Sequence, residues 1–272
     1  MRTTRVVSRR TWGIAGAGVV VSVVCLALIR RSVGTDAEAF FGNLPSLLTG
    51  GAASFTVLWA ALRFDRSEKL RREWLWIGFG VSAIFIGDAV YAYLEVVAKQ
   101  APWPSIADLF YVPSFLLLGG GLLVALLGFR DSLNIKRPLA VSLATCALAT
   151  VVLWTSVFWP ALGDVKVTLF ERILGVGYPV GDLWLLAFPA IALAIALSRF
   201  GGGRLAWPWW ALTAGFVGIA VSDTMFALMQ NADTYSSGSL IDAGWWLGYT
   251  AIAVAARPVV DQAMADILVR TT

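Results

Sequence analysis

Apolar residues run in eight long stretches along this chain, divided by short segments rich in charge, glycine and proline. The stretches cover approximately Trp12–Ile29, Leu44–Leu62, Trp74–Val97, Ala107–Leu127, Leu139–Trp159, Ile173–Leu197, Trp207–Met229 and Ser239–Ala256. Each is near the ~20 residues with which a helix crosses a bilayer. The apolar positions do not alternate with period two, which argues against the strands of a membrane barrel. The expected fold is all-α: a polytopic membrane bundle of eight transmembrane helices in a single integral membrane domain over 1–272.

The polar positions inside these stretches repeat. Asp88, Tyr91 and Glu95 are matched 135 residues later by Asp223, Phe226 and Gln230. Trp74 and Gly80 are matched by Trp209 and Gly215 at the same offset, and Ser105-x-x-Asp108 by Ser239-x-x-Asp242 at 134. Two repeats are therefore expected, one over about 1–130 and one over about 131–258, followed by a tail at 259–272. Four spans per repeat is an even number, so both halves enter the membrane from the same side and are parallel.

Composition supports a membrane protein. The chain is 58% hydrophobic and 14% charged, against roughly 25% charge in a soluble domain. Its pI of about 9.3 does not indicate nucleic acid. Of the 21 basic residues, 16 fall in the start, the tail and alternate loops, and Arg30, Arg31, Lys99, Lys166 and Arg172 are the rest. That bias places both termini in the cytoplasm, as expected of a multi-pass cytoplasmic membrane protein. Trp74, Trp76, Trp207, Trp209 and Trp210 are expected at the inner interface, and Trp103, Trp159, Trp245 and Trp246 at the outer one, as an aromatic belt. A basic start followed by an apolar run and Ala37-Glu38-Ala39 also fits a signal peptide, with a faint twin-arginine match at Ser8–Trp12. Arg30 and Arg31 directly after the run, and the need of the repeat for a first span, argue against cleavage. Gly201–Gly203 reads as a tight loop.

Acids within spans are the candidate chemistry. Asp88, Tyr91 and Glu95 stand at i, i+3 and i+7, hence on one helix face. A carboxylate at that depth costs a few kcal/mol unless paired, hydrated or protonated, and commonly faces a bundle interior. Asp88 and Asp223 also suit a packing role, each accepting from a Tyr, Trp or Ser of a neighbouring helix. Asp182, in Tyr178-Pro-Val-Gly-Asp182, has Leu47 as its counterpart, so the duplication does not require it. Pro179 and Gly181 predict a broken helix there, with freed carbonyls lining a cavity. The Ser-x-x-Asp pairs read as helix caps, serine accepting from the first turn and the acid reaching back. Together with Tyr178 and Trp245, the acids Asp88, Glu95, Asp108, Asp182, Asp223 and Asp242 predict an acidic, aromatic-lined cavity open to the outside. It would suit a hard cation, a small organic cation or protons. Cys25 and Cys146 read as small packing residues, and glycines at 119–121 and in Gly175-Val-Gly177-Tyr-Pro-Val-Gly181 as sites of close helix approach. No histidine is present, which removes imidazole chemistry and makes zinc or copper improbable partners. No cofactor is expected, and no catalytic set is recognisable.

Two segments, Gly87-Asp88-Ala-Val-Tyr91 through Pro104-Ser105-x-x-Asp108 to Leu118, and Tyr178-Pro-Val-Gly-Asp182 through Gly238-Ser239-Leu-Ile-Asp242 to Pro258, carry a resemblance. They are similar to the multi-span N-terminal membrane regions of bacterial cyclic-di-GMP signalling proteins, in which a sensor region precedes GGDEF and EAL domains. The 272 residues contain no GGDEF or EAL motif, so none of that group's catalysis transfers to a residue here. The chain reads as an excised membrane region or as a free-standing relative. Val260, Met264, Ile267 and Leu268 give the tail a weakly amphipathic face, suited to a following domain or a homodimer partner. The resemblance implies a sensory and anchoring input module regulating a cytoplasmic output domain. A small cation- or proton-coupled transporter is the alternative, although the acids thin out toward the cytoplasmic side. An intramembrane hydrolase stands last, lacking a nucleophile.

Overall fold

The computed structural model describes residues 9–35, 37–100, 102–130, 133–198, 200, 205–232 and 234–271. Among these residues stand eight helices and no strand: α1 Arg9–Ser32, α2 Ala37–Arg63, α3 Lys69–Val97, α4 Asp108–Phe129, α5 Lys136–Gly163, α6 Leu169–Leu197, α7 Trp207–Asn231 and α8 Asp242–Thr271. Seven of them, α1 to α7, are long and apolar enough to cross a membrane. Every predicted stretch has its helix. Most helices overrun their stretches at one end or both, because backbone hydrogen bonding continues past the first charged residue, whereas α8 begins only at Asp242, three residues into its stretch. Arg2, Arg5, Arg199, Arg204 and the Gly201–Gly203 loop lie outside the described residues. The expected apolar face of the tail falls where only the backbone is described.

Local chemistry sets the helix starts. Thr168 and Glu171 form a reciprocal capping box at α6, with the Thr168 hydroxyl accepting from the Glu171 amide at 3.3 Å. Pro208 sits in the first turn of α7, where its missing N–H costs no intrahelical bond.

Three helices contain a widened π turn, at Tyr93–Val97 in α3, Trp154–Phe158 in α5 and Asp182–Ala187 in α6. The last is the break predicted around Pro179, and Pro189 follows it. Gly175, Tyr178 and Asp182 around Pro179 line a cavity, while two carbonyls of the break and its end turn to α5. Leu183 O accepts from the Cys146 thiol at 3.4 Å and Phe188 O from the Ser142 hydroxyl at 2.5 Å, both on α5. Trp184 Nε1 adds a bond to Thr150 Oγ1 at 3.1 Å. Cys146 is thus a hydrogen-bonding spacer between α5 and the break.

The apolar core fills one half of the bundle's length, around Trp74, Leu118, Leu122, Leu193, Leu212, Phe216 and Ile252. Trp74 and Trp209 are buried there with ring centroids 5.9 Å apart. The aromatic belt is corrected accordingly: Trp74 and Trp209 are core residues, and Trp246 is fully buried with its Nε1 donating to Ser46 at 3.0 Å. Trp76, Trp159 and Trp210 are exposed as the belt requires. Close helix approach occurs where glycine permits it. A Cβ on Gly215 would meet Gly248 O at 2.8 Å, and one on Gly119 would meet Leu185 O at 3.1 Å. Gly177 has open space beside it, so the expectation fails there.

Candidate functional site

At the end of the bundle opposite the core, α2, α4, α6 and α8 begin and α3 and α7 finish. Their ends, with the loops before α4 and α8, enclose a cavity of about 150 Å³. A single water needs roughly 10–15 Å³ by the same measure, so a small organic molecule or several waters would fit. Asp88, Tyr91, Asp108, Tyr178, Asp182, Asp223, Asp242 and Trp245 all line it. Eight of the nine candidate residues therefore converge, from five helices.

Glu95 is the exception. It lies in a neighbouring shallow groove with Glu38 and Lys99. The π turn at Tyr93–Val97 inserts extra backbone between Tyr91 and Glu95, so the i, i+7 face predicted from regular helix is rotated away. Glu95 instead accepts from Asn43 Nδ2 at 2.5 Å and from Ser237 Oγ at 2.8 Å, tying α2 and the loop before α8 to α3.

The duplicated acids have fixed donors on the next helix. Asp88 Oδ1 accepts from the Tyr111 phenol at 2.9 Å, joining α3 to α4. Asp223 Oδ1 accepts from Trp245 Nε1 at 2.6 Å, joining α7 to α8. Asp108 and Asp242 reach back to their helix starts, Asp108 Oδ2 accepting from the Ser105 amide and Asp242 Oδ2 from the Gly238 amide, each at 2.6 Å. The serine half of the predicted cap is present at Ser105, whose Oγ accepts from the Ala107 amide at 3.2 Å, and missing at Ser239, whose Oγ donates to Asp242 itself at 3.2 Å. The other oxygen of each acid takes a phenol, Tyr178 on Asp108 and Tyr235 on Asp242. Burial, with Asp242 alongside, pushes the Tyr235 phenol well above its ordinary value, so Tyr235 remains a donor at neutral pH.

Asp182 is built differently. It is fully buried, and neither carboxyl oxygen meets a protein donor. Its polar neighbour is the carboxyl of Asp223, within hydrogen-bond reach. Two carboxylates at such separation repel unless a proton or another cation lies between them. Asp88 Oδ2 also lacks a donor in hydrogen-bond geometry, although Tyr249 stands beside it. No lysine or arginine among the described residues lines the cavity.

Aromatic rings form the remaining wall. Phe226 is the hub, with ring centroids 4.7 Å from Tyr235, 5.9 Å from Trp245 and 6.0 Å from Trp103. Tyr111, Tyr235, Tyr249, Trp103 and Asn43 line the cavity without having been picked out as site residues. A signal existed for two of them: Tyr111 precedes Trp245 by 134 residues and Asn43 precedes Tyr178 by 135. Tyr235 lies in a loop with no periodicity to mark it.

Among the described residues no three Asp, Glu or Cys side chains are arranged to hold a metal ion. The acids are spread around the wall, each on its own element. Compared with known protein families, curated proteins and solved structures, the chain matches none.

Proposed function

We propose that this chain is a membrane-embedded sensory and anchoring module whose cavity opens outward and takes a small cation. One observation carries the reading: a buried, donor-free carboxylate, Asp182, lies in an aromatic-lined cavity that no basic side chain among the described residues lines. The finer architecture belongs to the same proposal, with eight spans in two parallel four-helix repeats and both termini in the cytoplasm. The facing tryptophans Trp74 and Trp209, and the matched pairs Asp88–Tyr111 and Asp223–Trp245, support the duplication. The bias of basic residues supports the orientation.

Helix α8 supplies the route for a signal. It opens with Asp242, Trp245 and Tyr249 on the cavity wall and continues as one helix to Thr271, about 45 Å at 1.5 Å per residue. A ligand that binds two arrangements of the cavity unequally would shift this helix. The output would be a cytoplasmic GGDEF or EAL domain, or a homodimer partner; that assignment rests on the sequence resemblance alone. The test is a spin label at Ala265→Cys in a Cys25→Ala, Cys146→Ser background, in lipid discs. Occupation of the cavity should change its spectrum, and a spectrum that stays constant while the cavity fills overturns the sensory reading.

A carrier is the second reading, favoured by the π turn that begins at Asp182 in α6. Broken helices at an acid are a recurrent feature of ion-coupled transporters. Cation- or proton-driven flux in proteoliposomes that Asp182→Asn abolishes would establish it.

A further inference from the structure

The cation that the cavity would take can be specified further, resting on the reading that the cavity accepts a cation. Both oxygens of Asp182 are buried acceptors with no protein donor, and Oδ2 of Asp88 has only the Tyr249 phenol beside it. Asp223, already holding Trp245, sits against Asp182. A ligand that satisfies them must bring positive charge and several hydrogens. Beside this acidic pole lies the Phe226 hub with Trp103, Tyr235 and Trp245. Phe226 stands one helical turn beyond Asp223 on α7, so the two poles adjoin.

Each ligand class meets this arrangement differently. An inorganic divalent ion needs six or more oxygens at short range, and no set of three acids is so arranged among the described residues. A quaternary ammonium satisfies the rings through cation–π attraction but offers no N–H to the orphan oxygens. A primary ammonium carries three donors and one charge, and its apolar substituent would lie on the rings.

We infer that the cavity is a binding site for a small primary amine, R–NH₃⁺. The ammonium is held between Asp182 and Asp223, with Asp88 on the same wall, and an apolar R group by the cage around Phe226. The same chemistry occurs in a free amine and in an ethanolamine lipid headgroup.

The experiment uses the full chain in phosphatidylglycerol discs, with binding followed by tryptophan fluorescence, since Trp103 and Trp245 line the cavity. Benzylammonium chloride should quench or shift the emission saturably and raise the melting temperature. Benzyl alcohol should do neither, and tetramethylammonium should bind at least tenfold more weakly. Asp182→Asn should weaken benzylammonium at least tenfold. Phe226→Leu should weaken benzylammonium more than methylammonium, which keeps the test independent of any folding defect in the first variant. Discs containing phosphatidylethanolamine separate the sources: competition with benzylammonium points to the headgroup, and its absence to a soluble amine.

Equal affinity for tetramethylammonium and benzylammonium overturns the inference, as does unchanged binding by Asp182→Asn. Sodium or calcium competing where amines do not would overturn the amine and leave a cation cavity standing. Amine binding with an unmoved Ala265→Cys label would leave the amine site standing and remove the sensor.

Discussion

The two halves of the chain treat their buried acids differently. In the first half Asp88 is held by Tyr111, and the position matching Asp182 is Leu47. In the second half Asp223 is held by Trp245, and Asp182 is added against it without a donor of its own. An acid that recurs with a partner on the next helix behaves as a fastener between helices. An acid that occurs once, buried and without a donor, costs stability and has no packing role that would retain it. Duplication therefore separates frame from site: what both halves share holds the bundle, and what one half adds is where function is sought.

The helix contacts give the largest test of this contrast. Gly215 meets the Gly248 carbonyl, whereas its counterpart Gly80 meets mainly the Leu118 side chain. Overpacking a tight core costs about 1–3 kcal/mol. Gly215→Val should fall at or above the top of that range and Gly80→Val below it, because a backbone carbonyl cannot turn aside. Melts in the same detergent decide; equal losses would mean that the two helix pairs are packed alike.

The fasteners come next. Tyr111→Phe and Trp245→Phe each remove the donor to a buried carboxyl, a loss of about 1–3 kcal/mol. Trp245→Phe should cost more, since Asp223 then faces Asp182 with no donor left, while Asp88 keeps Tyr249 alongside. The smallest effect is expected outside the cavity. Glu95→Gln keeps acceptor bonds to Asn43 and Ser237, so the melt should move by less than about 1 kcal/mol and amine binding should not change. A tenfold loss of binding by Glu95→Gln would return Glu95 to the site.

Much of this contrast is legible in the sequence, for a physical reason. Apolar runs report helix existence because a bilayer demands length and composition together. Acids inside those runs report the cavity because so few places tolerate them. What the sequence hides is anything that depends on local register. Glu95 leaves the predicted face because a π turn intervenes, and no residue near Tyr93–Val97 announces one. Trp74 and Trp209 read as interfacial by type, yet pack against each other in the core. Half of the aromatic cage, Phe226 and Trp245, is legible in the repeat, whereas Tyr235 comes from a loop and Trp103 from a turn, neither of which carries a period.

The most direct measurement compares the melting temperatures of Asp182→Leu, Asp88→Leu and Asp223→Leu in lipid discs without added amine. Asp182→Leu installs what the first half already carries at Leu47, and removes a buried carboxyl that no protein group donates to. It should stabilise the fold by about 1 kcal/mol or more, so that the melting temperature rises, and abolish benzylammonium binding. Asp88→Leu and Asp223→Leu should lower it, because Tyr111 and Trp245 lose their acceptors. If Asp182→Leu is destabilised as much as the other two, then Asp182 is a fastener like them, and the division between frame and site is wrong.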